Sequence, residues 1–247
     1  MLGESGFRIW RRGLLALALL WGAAASAAEP VDLELVLAAD GSGSIDDEEL
    51  AFQRRGYAAA ITHPRVLNAI RSGYRQAIAV AYVEWGGPDS QHTIVGWTKI
   101  TDAKSASAFA SRLVAAPRRA ESYNSISEAI AYSATLIRGN AFSGARMIID
   151  VSGDGPQIGG RPIALTRGEA VLSGITINAL VIEAPGGDFP GWDAPSLREH
   201  YEKNVIGGKG AFVVVAKDRD EFAAAILKKL ILEIADGGAT GGDRAAL

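Results

Sequence analysis

Residues 31–49 read VDLELVLAADGSGSIDDEE. An apolar, β-branched run stops at Asp40, after which Ser42 and Ser44 alternate with Gly41 and Gly43. Oxygen-bearing side chains at every second position, on a loop softened by glycine, can converge on one point just beyond a strand end. One carboxylate and two hydroxyls form a hard, all-oxygen set that suits a magnesium-type cation. The same composition also suits a plain turn in which Asp40 caps or kinks the loop. A helix signal follows at once. Ser44 with Asp47 three residues later reads as a capping box, and the run from Asp46 to Glu49 loads the first turn with negative charge.

Upstream of this stretch, Arg8, Arg11 and Arg12 precede an apolar segment over residues 14–25, and Ala25-Ser26-Ala27 offers a small-residue cleavage pattern. Residues 1–27 therefore read as a signal peptide, and the expected location is periplasmic or secreted. The apolar segment falls short of the roughly 20 residues that span a bilayer, although an uncleaved anchor is the competing reading. Arg11-Arg12 followed by Gly13-Leu14-Leu15 loosely fits a twin-arginine signal, which leaves the export route open. The 247 residues carry 25 basic and 28 acidic side chains, a formal net charge of −3. Loss of the arginine-bearing leader makes the remainder more acidic still. A negative domain without a basic cluster disfavours nucleic acid. No cysteine is present, so thiolate metal sites, disulfides and thiol catalysis are excluded.

The pattern then predicts helices over 48–62, 64–72, 103–115, 125–138, 162–173, 196–203 and 220–234. Strands are expected over 76–85, 93–100, 147–152, 175–182 and 212–216. Gly86-Gly87-Pro88-Asp89-Ser90 reads as a hairpin link between the second and third strands. Alternating strands and helices give an α/β fold: a doubly wound, mostly parallel six-stranded sheet with one antiparallel edge strand and helices on both faces. One domain is expected over 28–236, followed by a glycine-rich flexible tail over 237–247. Asp40 and Asp154 each follow a strand's carboxyl end and precede glycine, which places two distant carboxylates on the same rim.

The spacing D-x-S-x-S at a strand-to-helix turn resembles the metal-ion-dependent adhesion site of von Willebrand factor type A domains. Within those domains the chain is similar to a family of exported bacterial proteins of unassigned function. The similarity rests on VDLELVLAADGSGSID, QRRGYAAAI, AVAYVEW, IIDVSGDGP, GITINAL, YEKNVIGGKGAFVVVA and EFAAAILKKLILEIA. It implies a three-layer sandwich and a site for Mg2+ or Mn2+. Ser42 and Ser44 would bind the cation directly, while Asp40 and Asp154 would act mainly through bound water. A middle loop in that fold normally supplies a threonine; here Asn124 stands at the expected position, with Ser125 or Ser122 as substitutes. The resemblance further implies a binding module whose open coordination position takes an Asp or Glu carboxylate from a protein partner.

Other readings compete with that module. A structural or interaction domain with a vestigial metal site is one. Hydrolase or phosphotransferase chemistry is another, but the residues argue against an enzyme. A D-x-D-x-T site would need a second carboxylate at Ser42, a nucleophile elbow needs G-x-S-x-G, and Gly207-Gly208-Lys209-Gly210 lacks the spacing of a phosphate loop. His63, His92 and His200 fall in no motif. Asp150 reads as a buried partner to an amide, or else as a second metal ligand. Trp85 and Trp97 read as packing residues. The insertion over 185–195, with Phe189 and Trp192, reads as a recognition loop or a packed surface loop.

Overall fold

A computed structural model of the chain describes residues 27–183 and 196–235. The expected leader up to residue 26, the aromatic insertion with Phe189 and Trp192, and the tail over 237–247 lie outside the described residues. The described elements run β1 (Glu29–Asp40), α1 (Asp47–Thr62), α2 (Pro64–Ser72), β2 (Ile78–Trp85), β3 (Gln91–Ile100), α3 (Ala103–Ala115) and α4 (Ile126–Arg138). They continue with β4 (Phe142–Gly153), α5 (Ile163–Leu172), β5 (Ile175–Ile182), α6 (Leu197–His200), a π-turn (Tyr201–Val205), β6 (Val213–Ala216) and α7 (Arg219–Ala235).

The strands form one sheet in the order β3-β2-β1-β4-β5-β6, parallel throughout except for β3, which returns antiparallel along β2 through the hairpin link. β1 is central and its side chains alternate between two cores. Leu33, Leu35 and Leu37 pack under α1, α2, α3 and α7, while Val36 and Ala38 face α4, α5 and the π-turn. Burial on both faces is why β1, β2 and β5 read as nearly unbroken apolar runs. Chain order reverses between β1 and β4, since β2 lies on one side of that pair and β5 on the other. An open α/β sheet presents its ligand crevice at the carboxyl ends of such strands.

The starts of α1 and of β4 differ from expectation. Asp46, not Ser44, caps α1: its carboxylate accepts from the Glu49 N–H at 2.8 Å, and Glu49 accepts from the Asp46 N–H at 3.2 Å. The Ser44 hydroxyl is engaged elsewhere, as described below. β4 begins at Phe142 rather than Met147 because Glu29 to Val31 pair alongside it. Residues 142–147 are partly exposed, so the strand extends beyond its apolar run.

Charge is also buried in the core beneath α7. The Lys229 ammonium lies 2.5 Å from Asp150 and 2.6 Å from Glu233, and Asn178 donates to Glu233 at 2.9 Å. Asp150 therefore pairs with an ammonium, not with an amide or a metal-bearing loop. Burial is the largest influence on Glu233 and pushes its carboxyl up to about 7. Trp85 is fully buried and donates its indole N–H to the Ala38 carbonyl at 3.0 Å, while Trp97 packs against Phe142.

Candidate metal centre

Three loops meet at the carboxyl ends of β1 and β4. The first carries Asp40, Ser42 and Ser44 out of β1. Asp40 is fully buried, and its Oδ1 accepts the Ser42 N–H at 2.8 Å, which bends the loop back over the strand end. That turn sets the Ser42 and Ser44 hydroxyls 3.1 Å apart. Ser44 in turn donates to Asp154 Oδ1 at 3.1 Å, closing a contact between residues 110 positions apart. Asp40, Ser42, Ser44 and Asp154 are thus brought together.

The middle loop, residues 120–125, supplies Asn124 and Ser125, which the structure places differently. Asn124 is buried, and its amide nitrogen rests so close to Gly155 that a Cβ there would stand 1.9 Å from it. It therefore adjoins the Asp154-Gly155 turn. The Ser125 hydroxyl is committed to the Gly159 carbonyl at 2.8 Å. Ser122 sits at φ +75°, in the left-handed region that a residue with a Cβ seldom enters. Its carbonyl accepts the Gly43 N–H at 2.7 Å, tying the middle loop to the first. Backbone hydrogen bonds from Gly87 to Glu121 and from Ser125 to Gly86 tie it to the hairpin link. Of the three middle-loop candidates, Asn124 is the one whose side chain meets the Asp154 turn.

The electrostatics of the cluster are unfavourable by themselves. Burial, then the neighbouring Asp154 charge, push the Asp40 carboxyl up to about 7. Asp154 is also raised, chiefly by burial and further by Glu49. Asp40 Oδ2 is buried without a hydrogen-bond partner. Two crowded carboxylates and an orphaned oxygen are what a cation at this point would relieve. The 3.1 Å gap from Ser42 to Ser44 is close to the ~3.0 Å edge of an octahedron with magnesium–oxygen bonds of about 2.1 Å. Among the described residues no cluster of three or more His, Cys, Asp or Glu side chains is suited to hold a metal. Any ion here must rely on the hydroxyls.

Several supporting residues carried no signal in the sequence. Arg118 donates to the carbonyls of Gly41 at 3.2 Å and Ser42 at 3.1 Å, and its guanidinium also meets Asp47 at 3.1 Å. Arg54 and Glu84 form a buried ion pair at 2.7 Å beneath this loop, with Arg54 also holding the carbonyls of Ala116 and Pro117. Gly41 fits tightly over that pair: a Cβ on it would meet Ala120 at 2.9 Å and Glu84 at 3.6 Å. Tyr201, buried on the other face, donates to the Gly155 carbonyl at 3.1 Å. Each partner is distant in the chain, so only the folded structure pairs them.

The fold matches solved structures of von Willebrand factor type A domains at low identity. The pilus adhesin SpaC from Lactobacillus rhamnosus GG is 15% identical, with a TM-score of 0.58 over 83% of this chain and 31% of that one. The von Willebrand factor type A structure from Catenulispora acidiphila is 14% identical, with a TM-score of 0.57 over 83% and 43%. Proximal thread matrix protein 1 from the mussel byssus, described with a zinc-occupied MIDAS motif, is 12% identical, with a TM-score of 0.56 over 85% and 47%. The chain thus spans less than half the length of these three. No curated protein matches the sequence. Residues 30–238 match a family described as a protein of unknown function, DUF1194, and the chain belongs to that family, here seen to be built on the type A fold.

Proposed function

We propose that this chain is an exported, non-enzymatic binding module that holds a divalent cation, magnesium or manganese, at the rim of β1 and β4. The observation that carries the reading is the pair of 3.1 Å oxygen gaps linking Ser42, Ser44 and Asp154 above the orphaned, buried Asp40 oxygen. Ser42 and Ser44 present neutral hydroxyl oxygens directly. Asp40 and Asp154 supply charge from behind, and Asn124 closes the third side with its amide. When bound, the cation supplies positive charge that two distant carboxylates only partly offset, leaving an open position for an Asp or Glu side chain of a protein partner. Arg118 steadies the carbonyl side of the first loop, so its hydroxyls need not be reoriented on binding.

Two neighbours support a metal-dependent adhesive role. One is named as a pilus adhesin, and another is described with zinc in a MIDAS motif. Export is supported by the basic start, the short apolar run and Ala25-Ser26-Ala27, and among the described residues no helix is long and apolar enough to cross a membrane. The test is thermal melting in magnesium against chelator. Binding to the folded state alone stabilises by about 2.7 kcal/mol at a hundredfold excess over Kd. Wild type should separate in the two buffers, and the doubly substituted Ser42→Ala/Ser44→Ala protein should not. Coincident wild-type curves at millimolar magnesium and manganese would make the site vestigial.

A further inference from the structure

The rim beside the candidate cation position is not chemically even. On the side of the middle loop, Tyr123 is 53% exposed and Ile158 is 62% exposed. Both are large apolar side chains on the surface, and both are tied to Asn124. Tyr123 precedes it in the chain, and the backbone N–H of Ile158 donates to the Asn124 carbonyl at 3.1 Å. Gly159 joins the two. A Cβ there would come within 2.7 Å of the Tyr123 ring and 3.2 Å of Pro88, so the ring lies directly against the glycine backbone. Pro88 and the Tyr123 ring therefore form an apolar ledge beside Asn124, and Ile158 is exposed on the adjoining backbone. Exposed aliphatic and aromatic groups gathered at a ligand position mark recognition surfaces.

The ledge is held stiffly. Ser122, one residue before Tyr123, is fixed at φ +75° while its carbonyl is held by Gly43 and its neighbours by the hairpin link. Strain of this kind persists only where the surroundings over-determine it, and it collects at ligand clamps. A tyrosine on such a platform has little freedom to lose when it is covered, which favours contact over an equally exposed side chain on a loose loop. The start of α1 is exposed nearby through Asp46, Asp47 and Glu48, with Asp47 paired to Arg118 at 3.1 Å.

Resting on the metal-site reading above, we infer that the partner segment carries an aromatic or large aliphatic residue beside its metal-seeking Asp or Glu, and that Tyr123, with Ile158, is the surface that reads it. The carboxylate anchors the segment, and the ledge selects among acidic segments.

The test uses the full chain and fluorescent glycine–serine peptides with a central Asp-Phe, Asp-Gly or Asn-Phe pair, followed by anisotropy in millimolar magnesium. The Asp-Phe peptide should bind at least tenfold more tightly than Asp-Gly, equivalent to about 1.4 kcal/mol. Asn-Phe should not bind, and chelator should release Asp-Phe. Tyr123→Ser should bring Asp-Phe down to the Asp-Gly level, and Ile158→Ser should move it in the same direction. Both variants should keep the wild-type magnesium shift in melting temperature. Equal affinity for the two aspartate peptides, retention of the preference by Tyr123→Ser, or no peptide binding despite a magnesium shift would each overturn the inference alone. Magnesium-dependent self-association abolished by Tyr123→Ser, without peptide preference, would assign the ledge to a second copy and overturn it too. Absence of any magnesium shift would overturn the metal reading and this inference with it.

Discussion

Replacing Asp40 by Asn should make the cation-free protein more stable at high pH while destroying its response to cations. Asp40 is fully buried, and its carboxyl is raised from the ordinary 3.8 to about 7 by burial and by Asp154. A folded-state pKa above the unfolded one means that the folded chain holds the proton more tightly. Stability is then lost as pH climbs from about 4 toward 7, and the loss is complete above that. A rise of this size corresponds to about 4 kcal/mol at pH 8. Asparagine preserves the acceptor for the Ser42 N–H but cannot ionise, so the penalty disappears. For a domain of this size, each kcal/mol moves the melting temperature by about 2–4 °C. In chelator, Asp40→Asn should therefore melt roughly 8–16 °C above wild type at pH 8, and level with it at pH 4. In magnesium at pH 8, wild type should recover and the variant should not move. Asp150, Asp154 and Glu233 are also raised by burial, so the wild-type curve alone does not isolate Asp40. The difference between the two proteins does. An Asp40→Asn protein that melts at or below wild type in chelator at pH 8 would refute the claim that this carboxylate is held against its own charge.

Other perturbations separate the site from its support. Gly155→Ala drives a methyl group into the Asn124 amide and should reduce the magnesium melting shift far more than the melting temperature in chelator. Lys229→Met strands Asp150 and Glu233 in the core and should cost about 3–5 kcal/mol in urea unfolding. Adding Asp150→Leu and Glu233→Leu should recover most of that loss, and failure to do so would mean that the buried charges are not the cause. Arg54→Met leaves Glu84 buried and unpaired, with an expected loss also of about 3–5 kcal/mol, together with a weaker magnesium shift because the first loop rests above the pair.

How much of this was legible in the sequence depends on distance along the chain. Helix and strand positions follow from local periodicity, so α2 and α3 fall at the expected 64–72 and 103–115. The run Asp40, Ser42, Ser44, which the structure gathers with Asp154, stands out in the sequence because it is contiguous. The α1 cap was misplaced because two hydroxyl or carboxyl residues, Ser44 and Asp46, each had an acid three positions on, and only the tertiary contact of Ser44 with Asp154 selects between them. β4 was drawn short because Phe142 to Met147 are partly exposed and acquire strand geometry by pairing with β1. Arg118, the Arg54–Glu84 pair and the Lys229–Asp150 pair were invisible, since no local pattern marks a charge whose partner lies 30 to 80 residues away. The ledge had its residues in plain view, but their adjacency runs through Gly159 and is a property of the folded loops.

The contact between Ser44 and Asp154 closes a loop of 110 residues, and that has a kinetic consequence. A chain that has not yet paired β1 with β4 has no place where an ion could be gripped, so cations cannot nucleate folding. Contacts absent from the transition state act on the unfolding limb alone. In stopped-flow measurements magnesium should leave the refolding rate nearly unchanged and slow unfolding, so that the loaded protein outlasts the bare one by a lengthened lifetime rather than by faster assembly.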